Sequence, residues 1–174
     1  MPPWRPWKTK PLSLKKPKRP DEAAARDPSR VRAKALALLA RREHSAQELR
    51  SKLTDRGYES TAVEAVLSSL EGEKLLSDAR FVQEFVAARV RRGSGPMKIR
   101  EELRGRGVTG ELVAEALAGL KAGSAAGADS ARRKRFGAAL PKDMQERARQ
   151  ARFLQQRGFS MDDIRKALKG DLEE

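Results

Sequence analysis

The sequence contains no cysteine, a single histidine (His44), one tyrosine and 5% aromatic residues. Without thiols there is no disulfide framework and no thiolate zinc site. One histidine supplies no His pair for a metal, and no Ser-His-Asp constellation can be built from it. Long apolar runs are missing as well. The longest, Ala35 to Ala40, is far below the roughly 20 residues needed to cross a bilayer. The segment Met1-Pro2-Pro3-Trp4-Arg5-Pro6-Trp7 lacks the apolar core of a secretory signal, so export is not expected and the cytoplasm is. What is there is 174 residues, 39% hydrophobic and 36% charged, enough for one domain or a short array of small units.

Acidic charge is scarce. Against 24 Asp and Glu stand 38 Lys and Arg, for a formal net charge of +14, which favours an anionic partner such as nucleic acid, an acidic protein face or a lipid surface. Residues 1–20 hold seven of these cations and no acid, with six of the nine prolines and both tryptophans. Such a composition cannot close a hydrophobic core and reads as a disordered basic arm over residues 1–30. Deleting residues 1–28 is therefore expected to weaken nonspecific DNA binding while leaving the remainder folded. Residues 21–174 still carry +7.

From Arg30 onward apolar residues recur at three- and four-residue spacing with no alternating strand segment, so the fold class is all-α. The pattern also repeats. Leu53-Thr54-Asp55-Arg56-Gly57 returns as Leu103-Arg104-Gly105-Arg106-Gly107 and as Leu154-Gln155-Gln156-Arg157-Gly158, with the last glycines 50 and 51 residues apart. Each glycine is followed by an apolar residue (Tyr58, Val108, Phe159), a β-branched one (Val63, Val113, Ile164) and a leucine (Leu67, Leu117, Leu168) in the same register. The physical reading is a helix that ends on Arg and a left-handed Gly, an apolar residue that folds back, and a second helix behind a polar cap. Ser60 or Thr61, Thr109 and Ser160 stand at the expected caps.

Upstream, Arg32 to Arg42 reads as a further helix and Ser45-x-x-Glu48 as a capping box. In the second unit Ser77 or Asp78 caps a helix through Phe81, Phe85 and Ala88, and Pro96 suits a first helical turn. The third unit departs from this. Pro141 lies 17 residues before its glycine where Pro96 lies 11 before, which predicts an earlier middle helix and a short first helix near Ser130 to Phe136. The expected organisation is a basic arm at 1–30, three-helix repeats at 31–75 and 76–121, a flexible Gly/Ala/Ser linker at 122–129, a third repeat at 130–170 and an acidic tail at 171–174. Units this small lean on their neighbours, so an elongated, curved array is expected.

Several segments carry a family resemblance: Arg41-Arg42-Glu43-His44-Ser45-Ala46-Gln47-Glu48-Leu49, Leu75-Leu76-Ser77-Asp78-Ala79-Arg80-Phe81 and Arg89-Val90-Arg91-Arg92-Gly93-Ser94-Gly95-Pro96. Ile99-Arg100-Glu101-Glu102-Leu103, Lys134-Arg135-Phe136-Gly137 and Arg152-Phe153-Leu154-Gln155-Gln156-Arg157-Gly158-Phe159 complete it. In this order, residues 31–170 resemble the RecX family of bacterial RecA regulators. The resemblance implies tandem three-helix repeats that dock in the groove of a RecA filament on DNA. It also implies restraint of filament growth, and with it of ATP hydrolysis, strand exchange and RecA-stimulated repressor cleavage. It implies no enzymatic activity and no cofactor.

Contact candidates follow from charge density. Arg80, Arg89, Arg91 and Arg92 fall on one helix and Lys98, Arg100, Arg104 and Arg106 on or just after the next, able to track phosphates or an acidic filament face. Interspersed Glu84, Glu101 and Glu102 equally allow a solvated helix surface. Arg132-Arg133-Lys134-Arg135 has no acid within it and is the strongest single basic patch. Gly57, Gly107 and Gly158 are structural turns, and Gly93-Ser94-Gly95-Pro96, lacking a full phosphate-loop pattern, is a plain interhelical turn. His44 is expected to cap a helix C-terminus, Asp162 and Asp163 to sit at a helix N-terminus, and Glu173 and Glu174 in the tail. Catalytic and metal-binding residues are expected to be none. The resemblance implies a RecA filament as partner, the charge allows single- or double-stranded DNA beside it, and a monomer with no membrane association is expected. A stand-alone helical DNA-binding protein is the alternative, separable by a steep salt dependence on naked duplex. A helical glycosylase-like enzyme would need a positioned carboxylate or lysine that no motif supplies.

Overall fold

A computed structural model describes residues 20–169, and every regular element among them is a helix. In order these are α1 (Glu22–Arg26), α2 (Pro28–Leu39), α3 (Ala46–Thr54), α4 (Ser60–Gly72), α5 (Asp78–Arg91), α6 (Pro96–Arg104), α7 (Glu111–Lys121), α8 (Ser124–Phe136), α9 (Met144–Gln156) and α10 (Met161–Lys169). The apolar spacing builds three separate cores. Val31, Ala35, Leu49, Leu53, Val63 and Leu67 anchor the first. Phe81, Val82, Ile99, Leu103, Val113 and Leu117 anchor the second, and Ala128, Ala131, Leu154, Ile164 and Leu168 the third. Close helix packing stays within α2–α4, within α5–α7 and within α8–α10, with α1 against α2 and α4. The molecule is three units in series, joined through turns and helix ends.

The Leu-x-x-Arg-Gly signature is a Schellman turn three times over. Gly57, Gly107 and Gly158 have φ of +94°, +74° and +84°. The amides of Tyr58, Val108 and Phe159 reach back to the carbonyls of Leu53, Leu103 and Leu154 at 3.2, 3.1 and 3.2 Å. A fourth such turn ends α5, where Gly93 has φ +74° and the Ser94 amide bonds the Arg89 carbonyl at 3.0 Å.

Two of these turns also join the units. The Ser45 hydroxyl, already capping α3 through the Glu48 amide (3.0 Å), donates to the Arg106 carbonyl at 2.7 Å. At the matching place one unit later, the Gly95 amide donates to the Arg157 carbonyl (2.7 Å) and the Met97 amide to the Gly158 carbonyl (3.0 Å). A Cβ at Gly107 would land on Gln47, and one at Gly158 on the backbone of Lys98. Glycine at these two positions thus serves both the left-handed turn and the close approach. The turn after each middle helix docks on the start of the preceding unit's middle helix.

The structure corrects four expectations. The arm does not extend to residue 30. Asp21 caps α1 through the Ala24 amide (2.8 Å), Ala24 is buried, and Asp27 with Pro28 starts α2. Residues 1–19 lie outside the described residues, as does the tail at 171–174. Residues 122–129 are not a linker, because α8 begins at Ser124 and runs for 13 residues. Its small side chains let α10 and Phe159 pack close, and a Cβ on Gly127 would sit 3.7 Å from the Phe159 ring. The first helix of the third unit is therefore long. Its middle helix starts early, with α9 at 13 residues against nine for α3 and for α6. Finally, Ser60, Thr61 and Thr109 are not caps: Glu59 and Gly110 hold those positions without a side-chain bond. Ser160 does cap, exchanging bonds with Asp163 at 3.1 and 3.2 Å.

Candidate functional site

Of the twelve basic candidates, five are committed to the fold. Arg80 pairs with Glu43 (2.8 Å) across the first joint and caps the carbonyls of Lys74 and Leu75 at 2.9 and 3.2 Å. Arg89 pairs with Glu102 at 2.5 Å and lies over the Phe85 ring, which Arg106 covers from 4.7 Å. Arg106 also donates to the Glu102 carbonyl at 2.7 Å, closing the end of α6.

The run Arg132 to Arg135 is not one patch. Arg132 is fully buried, with Asp129 at 2.8 and 2.9 Å and the carbonyls of Ala138 and Ala139 at 3.3 and 2.7 Å. It cannot contact a partner. The anion that relieves repulsion in this run is Asp129, three residues upstream, which Arg133 also pairs at 2.5 Å. Lys134 and Arg135 remain exposed, Arg135 lying 5.9 Å from the Phe136 ring.

Arg91, Arg92, Lys98 and Arg100 are exposed. Among the described residues none of their side chains makes an ion pair. Arg104 has only the solvent-facing Glu101 at 2.8 Å, a weak pair. Lys121, at the end of α7, joins them. It borders a surface cleft with Arg100, Met97 and Ser160, a neighbour set that depends on the third unit and has no sequence signal. Among the candidates, Lys134 and Arg135 thus stand free on α8, while Arg91, Arg92, Lys98 and Arg100 form, with Lys121, a group on the second unit beside its joint with the third. The Gly95 and Met97 amides there are spent on that joint, so the turn is not a phosphate cradle.

A second cationic recess lies at the first unit, where Arg41, Arg42, His44, Lys52 and Arg56 surround a cleft floored by Leu38. Its charge is largely internal. Arg42 and Lys52 meet Glu48 at 2.6 and 3.0 Å. Burial alone would raise the Glu48 carboxyl, but these two hydrogen-bonded cations outweigh it and hold it at about 2. His44 is buried rather than a helix cap: Nδ1 donates to the Arg42 carbonyl (3.0 Å) and Nε2 accepts from Lys52 (2.9 Å). Burial pushes its pKa down, and the neighbouring Lys52 charge adds to this. Asp163 spends its carboxylate on Ser160 and Ser124, and Asp162 pairs with Arg165 at 3.1 Å. Among the described residues no group of three or more His, Asp or Glu could hold a metal, and no helix is long and apolar enough to cross a membrane.

Comparison with known proteins places this architecture. Three family profiles match consecutive segments: the first three-helix domain of RecX over residues 32–70, the second over 77–117 and the third over 126–168. The Regulatory protein RecX of Halorhodospira halophila (strain DSM 244 / SL1) is 47% identical over 137 residues, covering 79% of this chain and 85% of that one. The Regulatory protein RecX of Pseudomonas fluorescens is 45% identical over 140 residues, covering 80% and 90%. Among solved structures, RecX from Lactobacillus salivarius superposes with a TM-score of 0.70 at 17% identity, covering 82% of this chain and 95% of that one. With three domain matches in order and relatives this close over most of the chain, it belongs to the RecX family of regulatory proteins.

Proposed function

We propose that this protein binds the RecA filament on DNA and restrains its growth, lowering ATP hydrolysis, strand exchange and coprotease activity by contact rather than by catalysis. It acts as a monomer in the cytoplasm. Membership in the RecX family supports the regulatory role. The observation that carries the contact is the group of unpaired cations, Arg91, Arg92, Lys98, Arg100 and Lys121, beside the second joint. Surplus positive charge without an internal anion stabilises nothing in the fold and attracts a negative partner.

The test is RecA ATP hydrolysis on single-stranded DNA with the protein titrated in at two salt concentrations, beside binding to naked DNA. The expected result is inhibition at well below one protein per RecA protomer, weakened by the double variant Arg91→Glu, Arg92→Glu. Inhibition only at amounts that coat the DNA would instead support the stand-alone DNA-binding reading, which the +14 charge alone would satisfy.

A further inference from the structure

The second joint carries a hollow and is braced differently from the first. At the first, the segment between α4 and α5 buries Leu76 and Arg80 braces the boundary against Glu43. At the second, only Ala122 and Gly123 separate α7 from α8. A cavity of about 190 Å³ opens there, lined by Val90, Pro96, Leu120, Gly127 and Phe159 among others. A largely apolar cleft of this size, open to solvent, gains from an apolar occupant.

The hollow continues into open surface on both sides. Through Val90 and Leu120 it joins a groove that reaches Val86 and Arg91. Through Pro96 and Ser124 it joins one that reaches Met97, Arg100 and Lys121. Val90 and Met97 are 42% and 60% exposed and add apolar surface beside the unpaired cations. The carboxylate in the groove, Asp163, is turned to Ser124 and Ser160.

We infer that this groove docks an acidic segment of a protein partner through one bulky apolar residue. The apolar residue enters the hollow, and flanking carboxylates meet Arg91 at one end and Arg100 and Lys121 at the other. A nucleic acid strand fits less well. Its phosphates would suit the cations, but its bases need an aromatic face to stack on, and the aromatic ring here, Phe159, is buried at 4% exposure. The inference rests on the filament-binding reading and names the surface that carries it.

The test uses the full chain and RecA filaments assembled on single-stranded DNA. Gly119 lines the hollow, and no atom lies within 4 Å of a Cβ built there. Gly119→Leu therefore adds a bulky side chain at the rim of the hollow without a clash while favouring the α7 helix. Gly72→Leu makes the same change at an equally open position in the first unit. Gly119→Leu is expected to melt at or above the wild-type temperature, to lose on the order of tenfold in filament affinity, and to keep wild-type affinity for naked single-stranded DNA. Lys121→Glu should weaken filament binding in the same sense, and Gly72→Leu should match wild type throughout. Wild-type filament affinity in both Gly119→Leu and Lys121→Glu overturns the inference, as does an equal loss by Gly119→Leu on naked DNA. A wild-type protein that ignores filaments overturns the filament reading itself, and this inference with it.

Discussion

Alanine at Gly158 probes whether the joints between units are as close as the geometry requires. Two costs add. With φ at +84°, an L-residue in this turn loses about 1 kcal/mol. The new Cβ would also fall on the backbone nitrogen and Cα of Lys98, atoms in the first turn of α6 that cannot rotate away. Relief requires the turn and α6 to separate, which strains the Gly95–Arg157 and Met97–Gly158 bonds. Overpacking of this kind costs about 1–3 kcal/mol, so about 2–4 kcal/mol is expected in all. Gly93 is the control. It occupies the same kind of turn at φ +74°, but its Cβ would make only ordinary contacts, with the Ala131 Cβ at 3.4 Å, Arg157 Nη1 at 3.8 Å and the Ala131 Cα at 4.0 Å. Gly93→Ala should therefore cost about 1 kcal/mol. The measurement is urea unfolding followed by helical circular dichroism for both variants beside wild type. Equal costs at the two positions would refute the close-approach argument, leaving glycine required for its dihedral alone.

Other consequences are equally measurable. Arg132→Met should destabilise the protein by about 3–5 kcal/mol, since it strands a buried carboxylate and a set of carbonyls; thermal unfolding within 1 kcal/mol of wild type would show that Arg133 alone satisfies Asp129. Glu48 has a folded pKa of about 2 against an ordinary 4.5, so its stabilisation is full above about pH 5 and is lost as pH falls through the folded value. The drop corresponds to about 3 kcal/mol, and the half-exposed Arg42 reduces this to about 1–2 kcal/mol. Glu48→Gln should remove that much above pH 5 and flatten the acid limb of a stability profile; an unchanged limb would place the acid sensitivity elsewhere. Deleting residues 1–19, which carry the +7 of the arm and stop short of α1, should leave the melting temperature unchanged and lower the salt slope of nonspecific DNA binding. Extending the cut to residue 28 should also reduce stability, because it removes buried Ala24.

What could be read from the chain alone tracks how local each interaction is. Leu-x-x-Arg-Gly was legible because a Schellman turn is made within six residues, and three copies at nearly constant spacing exposed the array. Ser45 and Ser160 were legible as caps for the same reason. The segment from Ser124 was misread because Gly, Ala and Ser signal a linker by composition, whereas here their smallness is what lets α8 pack beneath Phe159 and Ile164. Thr109 failed as a cap because Gly110 follows it at φ +77° and starts the helix one residue later. The basic candidates divided on partners that no spacing rule finds: Glu43 lies 37 residues from Arg80. Asp129 is the exception. It sits at i−3 from Arg132, and helical pairing weighed inside α8 would have removed that arginine from the patch.

The two joints use one design with different side walls, and the proposed docking groove lies at the less braced one. Both receive an arginine carbonyl on a donor at the start of a middle helix, Ser45 in one case and Gly95 in the other. At α9 the corresponding cap is Asp143, whose carboxylate accepts from the Glu146 amide and has no proton to offer a carbonyl. The first joint then adds the Arg80–Glu43 pair, a bond from the Ala46 amide to Asp78 at 2.8 Å, and buried Leu76. The second adds a bond from Arg157 to the Arg92 carbonyl at 2.7 Å and little else on the side of the hollow. No ion pair like Arg80–Glu43 forms at the second, where the Asp163 carboxylate is taken up by Ser124 and Ser160, so Arg91, Arg92 and Arg100 remain unpaired and available to an outside partner. The two seams between the three units are thus held by the same kind of turn but differ in what they leave over, and the proposed partner gains its binding energy at the second, from apolar and ionic groups that the fold has not already satisfied.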